Sequence, residues 1–161
     1  GQTNAALLHL RRALQKDPQY AEAHYQLALL LIDSAQPVPA REHLIRALEG
    51  RPAQFDIYLR LAEITYSLYF GDPGRPEALL REVEDLATRM TRRWPHDPDG
   101  FRLQAQVLIA RHRTAEAIAL MEDAAERLRA NPALLTPLSS SHYQTRDRAR
   151  SQTILRRLIS E

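Results

Sequence analysis

The stretch AEAHYQLALLLIDSAQPVPAREHLIRALEGRPAQ, residues 21–54, decides the fold of this chain. Its small and bulky residues recur at helical spacing on two successive segments, at His24, Leu27, Ala28 and Leu31, then at Ala40, Leu44 and Ala47, before Pro52. Alanine at such positions lets two helices approach closely, while leucine fills the space between them. Proline then ends the second segment, because it cannot continue a helix. The stretch therefore predicts a helix-turn-helix unit of 34 residues.

The pattern of the second segment has a copy upstream. It recurs 34 residues earlier, at Ala6, Leu10, Ala13 and Pro18. We therefore expect residues 4–18 to supply the second helix of a truncated repeat, with the helix itself over residues 4–16.

This spacing resembles that of the tetratricopeptide-repeat (TPR) family, which stacks 34-residue helix-turn-helix units. The resemblance implies an all-α fold, a right-handed α-α superhelix (TPR solenoid) of about nine antiparallel helices, in a single array over residues 1–161. Composition agrees, because 44% hydrophobic residues with 6% aromatics and five glycines suit helices packed through Leu, Ala and Ile. We also expect the chain to be a fragment of a larger, bacterial TPR-containing protein.

The later units depart from the regular pattern. Residues 55–97 predict a long repeat, with loop 71–76 in place of a tight turn and a second helix near residues 77–93. Residues 98–132 predict a further repeat, with Asp97 as N-cap and Pro98 at the first helical position. Residues 133–161 predict a degenerate repeat or capping helices, near 138–144 and 147–160, because Pro137 and the serines that follow disfavour a regular first helix.

Composition sets further bounds. The chain has no Cys, which excludes disulfides and thiolate metal sites but leaves the compartment of a soluble protein open between cytoplasm and periplasm. The longest apolar run, Leu27 to Ile32, is far shorter than the ~20 residues of a membrane span. No signal peptide is present, but the sequence opens at Gly1 rather than Met, so this absence carries little information.

Motifs for metal binding or catalysis are missing from the sequence. Glu42-His43 lacks the second histidine of an H-E-x-x-H pair, and His24 occupies a packing position of the first helix. His96 and His112 fall in predicted turns. No Gly-rich phosphate loop follows a strand, and no G-x-S-x-G elbow occurs. We therefore predict no catalytic, cofactor-binding or metal-binding residues, no cofactor and no enzymatic activity.

Arginines could suggest a nucleic-acid surface. They cluster near Trp94, around His112 and in the C-terminal residues 146–157, but the net charge is only +2. A nucleic-acid interface needs one continuous basic face with aromatic side chains that stack on bases, whereas these clusters lie on separate turns. Nucleic acid is therefore disfavoured as a partner, and an acidic protein or polysaccharide surface fits the arginines at least as well.

The TPR resemblance implies where a partner would bind. In that family the first helices line a concave groove, and the outward positions between the packing residues face the ligand. Carried onto this chain they are Tyr25, Leu29, Asp33, Leu59, Glu63, Tyr66, Arg102, Gln106 and Ile109. Arg60 and Arg102 could pair with single acidic side chains of a ligand. Equally, individual members could serve only in packing between repeats, or face solvent.

One family subtype grips the C-terminal carboxylate of chaperones with Lys and Asn at groove positions. Here those positions carry Tyr25, Leu29, Leu59 and Glu63, so that clamp is absent.

The sequence thus predicts a non-enzymatic scaffold that binds a peptide or a partner protein in the concave groove. An alternative is a spacer or self-association element of an envelope assembly, such as polysaccharide export or secretion, with a homo-oligomer as one outcome. A third class is a regulatory module fused to an enzyme or a transcription factor.

Overall fold

The computed structural model describes residues 2–128, and their side chains from residue 5 onward. Seven helices follow one another within this range: α1 (Gln2–Lys16), α2 (Ala21–Asp33), α3 (Pro37–Gly50), α4 (Phe55–Gly71), α5 (Glu77–Arg93), α6 (Pro98–Ala110) and α7 (Thr114–Arg127). No strand occurs among these residues, and the predicted all-α fold is confirmed. The helices predicted at 138–144 and 147–160, like the whole degenerate repeat 133–161, lie outside the described residues.

Local chemistry explains where several helices begin. The Asp97 carboxylate accepts a hydrogen bond from the backbone N–H of Asp99 at 2.9 Å, and Pro98 occupies the first turn of α6. This confirms the predicted N-cap, which satisfies a donor that the first turn leaves unpaired. Pro37 occupies the first turn of α3, as Pro98 does in α6. Proline suits this position because the backbone N–H that it lacks would have no partner within the helix.

The same type of turn follows two of the helices. After α2, Ala35 adopts a left-handed φ of 53°, and the N–H groups of Ala35 and Gln36 donate back to Ile32 (2.9 Å) and Leu31 (2.8 Å). After α6, His112 adopts a φ of 60° and the same pair of bonds returns to α6. This is the Schellman arrangement, in which the left-handed position usually carries glycine.

The chain divides into two compact units, of which unit 1 is Gly1–Glu82. In unit 1, α2 packs against α1 and α3, and α3 packs against α4. The predicted packing residues Ala40, Leu44 and Ala47 are fully buried at 0% exposure. Their counterparts on α1 are not buried: Ala6 is exposed and Leu10 is only partly covered.

Unit 2 is Val83–Glu161, described here as far as residue 128. Its α6 and α7 pack against each other through Phe101, Ala105, Ala117, Met121 and Ala124, all of which are buried. Arg111, in the turn after α6, forms a 2.9 Å ion pair with Glu84 of α5.

The helices of the residue 55–97 segment are longer than those before them. Both α4 and α5 have 17 residues, against 13 in α2 and 14 in α3. Between them the Asp72 carboxylate accepts a hydrogen bond from the Gly74 N–H at 2.8 Å, which orders the connecting turn locally.

Candidate functional site

The predicted groove positions on α2 lie on its surface with different exposure. Tyr25 and Leu29 are half-buried, whereas Asp33 is exposed at the end of the helix. Burial raises the pKa of the Tyr25 hydroxyl above its ordinary value, and the carboxylate of Asp56 on α4 adds to the rise while Arg60 opposes it. Because charges on α4 act on Tyr25, the α2 positions and the start of α4 border the same region of unit 1.

The predicted positions on α4 form a row along that helix. Leu59, Glu63 and Tyr66 are half-buried, and Arg60 is exposed beside them. Arg60 already forms a 3.4 Å ion pair with Glu63, three residues further along the helix. A ligand carboxylate would therefore have to compete with Glu63 for Arg60.

Phe70 extends this row, although the sequence analysis did not select it. Its ring is 46% exposed and meets the ring of Tyr66 edge-on, with ring centroids 4.9 Å apart. The Arg75 guanidinium lies over Phe70, 5.4 Å from the ring centroid. The spacing of four residues from Tyr66 was a signal in the sequence, because residues four apart lie on one helical face.

In unit 2 the predicted positions lie on α6. Arg102, Gln106 and Ile109 are all partly buried. The Arg102 guanidinium donates to the Asp99 carboxylate at 2.8 Å, so it too is held by a carboxylate of its own helix. These residues form a separate candidate contact surface on unit 2.

A histidine pair joins α2 and α3, and no sequence motif predicts it. His24 is buried at 8% exposure, as its packing position implied, and its Nδ1 atom lies 2.8 Å from Nδ1 of His43 on α3. The pair borders a shallow hollow of about 370 Å³ that is also lined by Glu42, Arg46 and Glu49. No sequence spacing reveals this contact, because the two histidines are 19 residues apart and meet only once α2 and α3 have packed.

Among residues 2–128, no group of three or more His, Asp or Glu side chains is arranged to hold a metal ion. Across the same residues, none of the helices combines the length and the apolar character that crossing a bilayer requires.

Comparison with known proteins identifies the fold. The family model described as "TPR repeat" matches residues 1–33, which include α1 and α2. A thermophilic TPR protein of Thermus thermophilus superposes with a TM-score of 0.74 at 22% identity, over 99% of this chain and 83% of that one. No curated protein matches the chain by sequence.

Two further solved structures share the fold. MamA from Desulfovibrio magneticus, from residue 41 to its end, gives a TM-score of 0.77 at 14% identity, over 99% of this chain and 85% of that one. YrrB, described as a TPR protein with an unusual peptide-binding site, gives a TM-score of 0.72 at 14% identity, over 99% of this chain and 77% of that one.

The predicted resemblance is therefore confirmed. The chain has the TPR solenoid fold, and its first 33 residues match the TPR repeat model.

Proposed function

We propose that this protein is a non-enzymatic scaffold that binds an extended peptide, or an extended segment of a partner protein, on the surface of unit 1. The observation that carries the proposal is the row Leu59, Tyr66 and Phe70 on α4, beside Tyr25 and Leu29 on α2. These large side chains stay half-buried or exposed although the helices that carry them pack firmly on their other faces. Aromatic and aliphatic side chains of this kind anchor partners because each buries a large area with little loss of rotamer freedom.

The charged residues of the same surface favour one orientation of a bound segment. Asp56 places a carboxylate at the start of α4, close enough to act on Tyr25 of α2, while Arg75 places a cation at the far end of α4 beside Phe70. An extended segment would therefore meet apolar anchors with charges of opposite sign at the two ends of the α4 row, which favours one binding orientation. The peptide-binding site in the description of YrrB supports this class of ligand on this fold.

A displayed peptide library, selected on the full 161-residue chain, tests the proposal. The affinity of a selected peptide is then measured by calorimetry for the parent, Phe70→Glu, Tyr66→Glu and the control Arg46→Glu, which changes an exposed residue on α3. We expect each α4 variant to weaken binding by about tenfold or more, which is ~1.4 kcal/mol, and the control to leave it unchanged.

Comparing the two α4 variants distinguishes a loss of binding from a loss of folding. Tyr66 is half-buried and its substitution could disturb α4, whereas Phe70 is 46% exposed and should tolerate Glu. Undiminished affinity in Phe70→Glu and Tyr66→Glu, with the helical circular dichroism of the parent, would show that the peptide binds elsewhere. Arg102→Glu then tests the separate α6 surface of unit 2.

Self-association is a second candidate, favoured by the surface of α1. Leu8 is 50% exposed, and Ala6 is exposed where the equivalent Ala40 is completely buried. A second copy of the chain could cover this apolar face, as the spacer alternative requires. Light scattering across a concentration series decides it: a mass that rises with concentration in the parent but not in Leu8→Glu supports self-association, and a constant monomer mass rejects it.

A further inference from the structure

His24 and His43 form a direct hydrogen bond between the two helices of repeat 21–54. Their Nδ1 atoms are 2.8 Å apart and their ring centroids are 5.1 Å apart, so the rings meet nitrogen to nitrogen rather than stacking. The other ring nitrogen of His24, Nε2, lies 3.0 Å from the carbonyl oxygen of Pro18. Both nitrogens of this buried imidazole are therefore engaged.

The contacts assign the protons of the neutral pair. A carbonyl oxygen can only accept, so Nε2 of His24 carries a hydrogen and donates it to Pro18. A neutral imidazole has one N–H, which makes Nδ1 of His24 an acceptor. The hydrogen between the rings must then belong to Nδ1 of His43. The pair is satisfied in one tautomeric state only, with His43 in its Nδ1–H form.

Acid acts on this arrangement in two stages. A first proton can enter at Nε2 of His43. The bond remains, because Nδ1 of His43 still donates, but the half-buried ring then carries a charge that burial disfavours, so the fold is already weakened at this stage. A second proton would have to occupy Nδ1 of His24, which places two N–H donors and two positive charges opposite each other at hydrogen-bond distance. With His24 only 8% exposed, little water reaches its Nδ1 atom, so the opposed donors and charges favour separation of α2 from α3.

The surroundings of the pair favour its neutral form. Burial lowers the pKa of His43 below its ordinary value of 6.5, His24 lowers it further, and the carboxylate of Glu42 on α3 acts in the opposite direction. Arg46 and Glu49, also on α3, line the same hollow, and the Asp17 carboxylate in the turn before α2 accepts from the N–H of Gln19.

The direction of the pH effect follows from the lowered pKa. Between the ordinary pKa and the lowered one, the unfolded chain binds a proton that folded His43 does not. The contribution of neutral His43 to stability is therefore complete above about pH 6.5 and is lost progressively as the pH falls below that value.

We infer that the His24–His43 pair is a pH-sensitive latch, which holds α2 against α3 while neutral and loosens the partner-binding surface of unit 1 in mild acid. The link to binding rests on the proposed function: Tyr25, the first residue of the α2 part of that surface, directly follows His24. Loosening α2 from α3 would displace Tyr25 and Leu29 relative to the row on α4, and partner affinity would fall.

Side-chain nitrogen spectra of the full chain test the latch without any partner. Long-range ¹H–¹⁵N correlation of the histidine rings at about pH 8 should show the Nε2–H tautomer for His24 and the Nδ1–H tautomer for His43. Titration should then show the ring nitrogen shifts of both residues responding at each of the two protonation steps. An Nε2–H tautomer for both residues, or responses of His24 and His43 to pH that are independent of each other, would overturn the inference.

Thermal unfolding adds an energetic test. His43→Gln replaces the titrating ring with a neutral amide, and His96→Gln changes an exposed histidine in a turn as the matched control. Between about pH 7.5 and pH 5.5, we expect the Tm of the parent and of His96→Gln to fall by about 2–4 °C more than that of His43→Gln. An equal fall of Tm in all three proteins would contradict the latch.

Binding of the selected peptide at the same two pH values separates the latch from the proposed function. A peptide without His, Asp or Glu removes its own titration from the comparison. Affinity that falls severalfold in acid for the parent but not for His43→Gln supports both proposals. A pH-independent affinity overturns the regulatory role. Absence of peptide binding at either pH, with the predicted tautomers and melting behaviour, refutes the proposed function and supports the latch.

Discussion

Gly100 of α6 lies directly against Thr91 of α5, so closely that no side chain fits between them. A Cβ atom on Gly100 would lie 2.8 Å from Cγ2 of Thr91 and 3.0 Å from its backbone nitrogen. Glycine is needed here for close approach, since the backbone at Gly100 does not adopt a left-handed conformation. The contact lets α5 and α6 approach within unit 2.

Gly100→Ala should therefore destabilise unit 2. The added methyl meets backbone as well as a side chain, so α5 and α6 must move apart, and we expect a loss of about 1–3 kcal/mol in the free energy of unfolding. Gly71→Ala is the matched control, because nothing lies within 4 Å of the point that a Cβ atom on Gly71 would occupy at the end of α4. Denaturant unfolding of both variants measures the difference, and equal stability would contradict the close contact.

The packing residues of α3 were predictable because they depend on local spacing. Their intervals alone predict that Ala40, Leu44 and Ala47 are packing residues, and all three are completely buried. The N-cap at Asp97 was predictable for the same reason, since its partner is two residues away. Spacing of this kind reports which face of a helix is covered.

Contacts that depend on how two helices meet were not predictable. The Thr91–Gly100 approach and the His24–His43 bond join residues on different helices, and a shift of one turn would abolish either. The candidate surface was predictable only in part. Tyr66 could be placed on a face by spacing, but the edge-on ring of Phe70 and the engagement of Arg60 by Glu63 required the side-chain positions.

The 34-residue register makes a paired prediction for α3 and α1. The predicted spacing of 34 residues makes Ala40 and Ala6 equivalent, yet Ala40 is 0% exposed and Ala6 is exposed. Ala40→Leu should overpack α3 and lower the free energy of unfolding by about 1–3 kcal/mol, whereas Ala6→Leu should change it by less than about 0.5 kcal/mol. Thermal melting of the two variants provides the comparison. A similar drop in both would mean that α1 is covered.

The left-handed turn after α2 predicts a stabilising substitution. Ala35 holds a φ of 53°, a conformation that is unfavourable by about 1–2 kcal/mol for a residue with a Cβ. Glycine removes that strain but gains about 0.5–1 kcal/mol of entropy in the unfolded chain, so Ala35→Gly should stabilise by up to about 1 kcal/mol. The same change at Ala119, exposed in the middle of α7, should destabilise by a similar amount. Opposite shifts in urea midpoint are the expected result, and shifts of the same sign would contradict it.

The buried hydroxyl of Thr65 predicts a second gain in stability. Thr65 lies on α4 at 0% exposure, and its Oγ1 atom has no hydrogen-bond partner. Thr65→Val keeps the shape of the side chain and removes an unsatisfied polar group, so the free energy of unfolding should rise by about 1 kcal/mol. At Thr91 the hydroxyl donates to the Thr88 carbonyl at 3.1 Å, so Thr91→Val should be neutral or destabilising. Chemical denaturation of the two valine variants measures the difference between them. A loss of stability in Thr65→Val would mean that this hydroxyl has a partner in solution, such as a buried water.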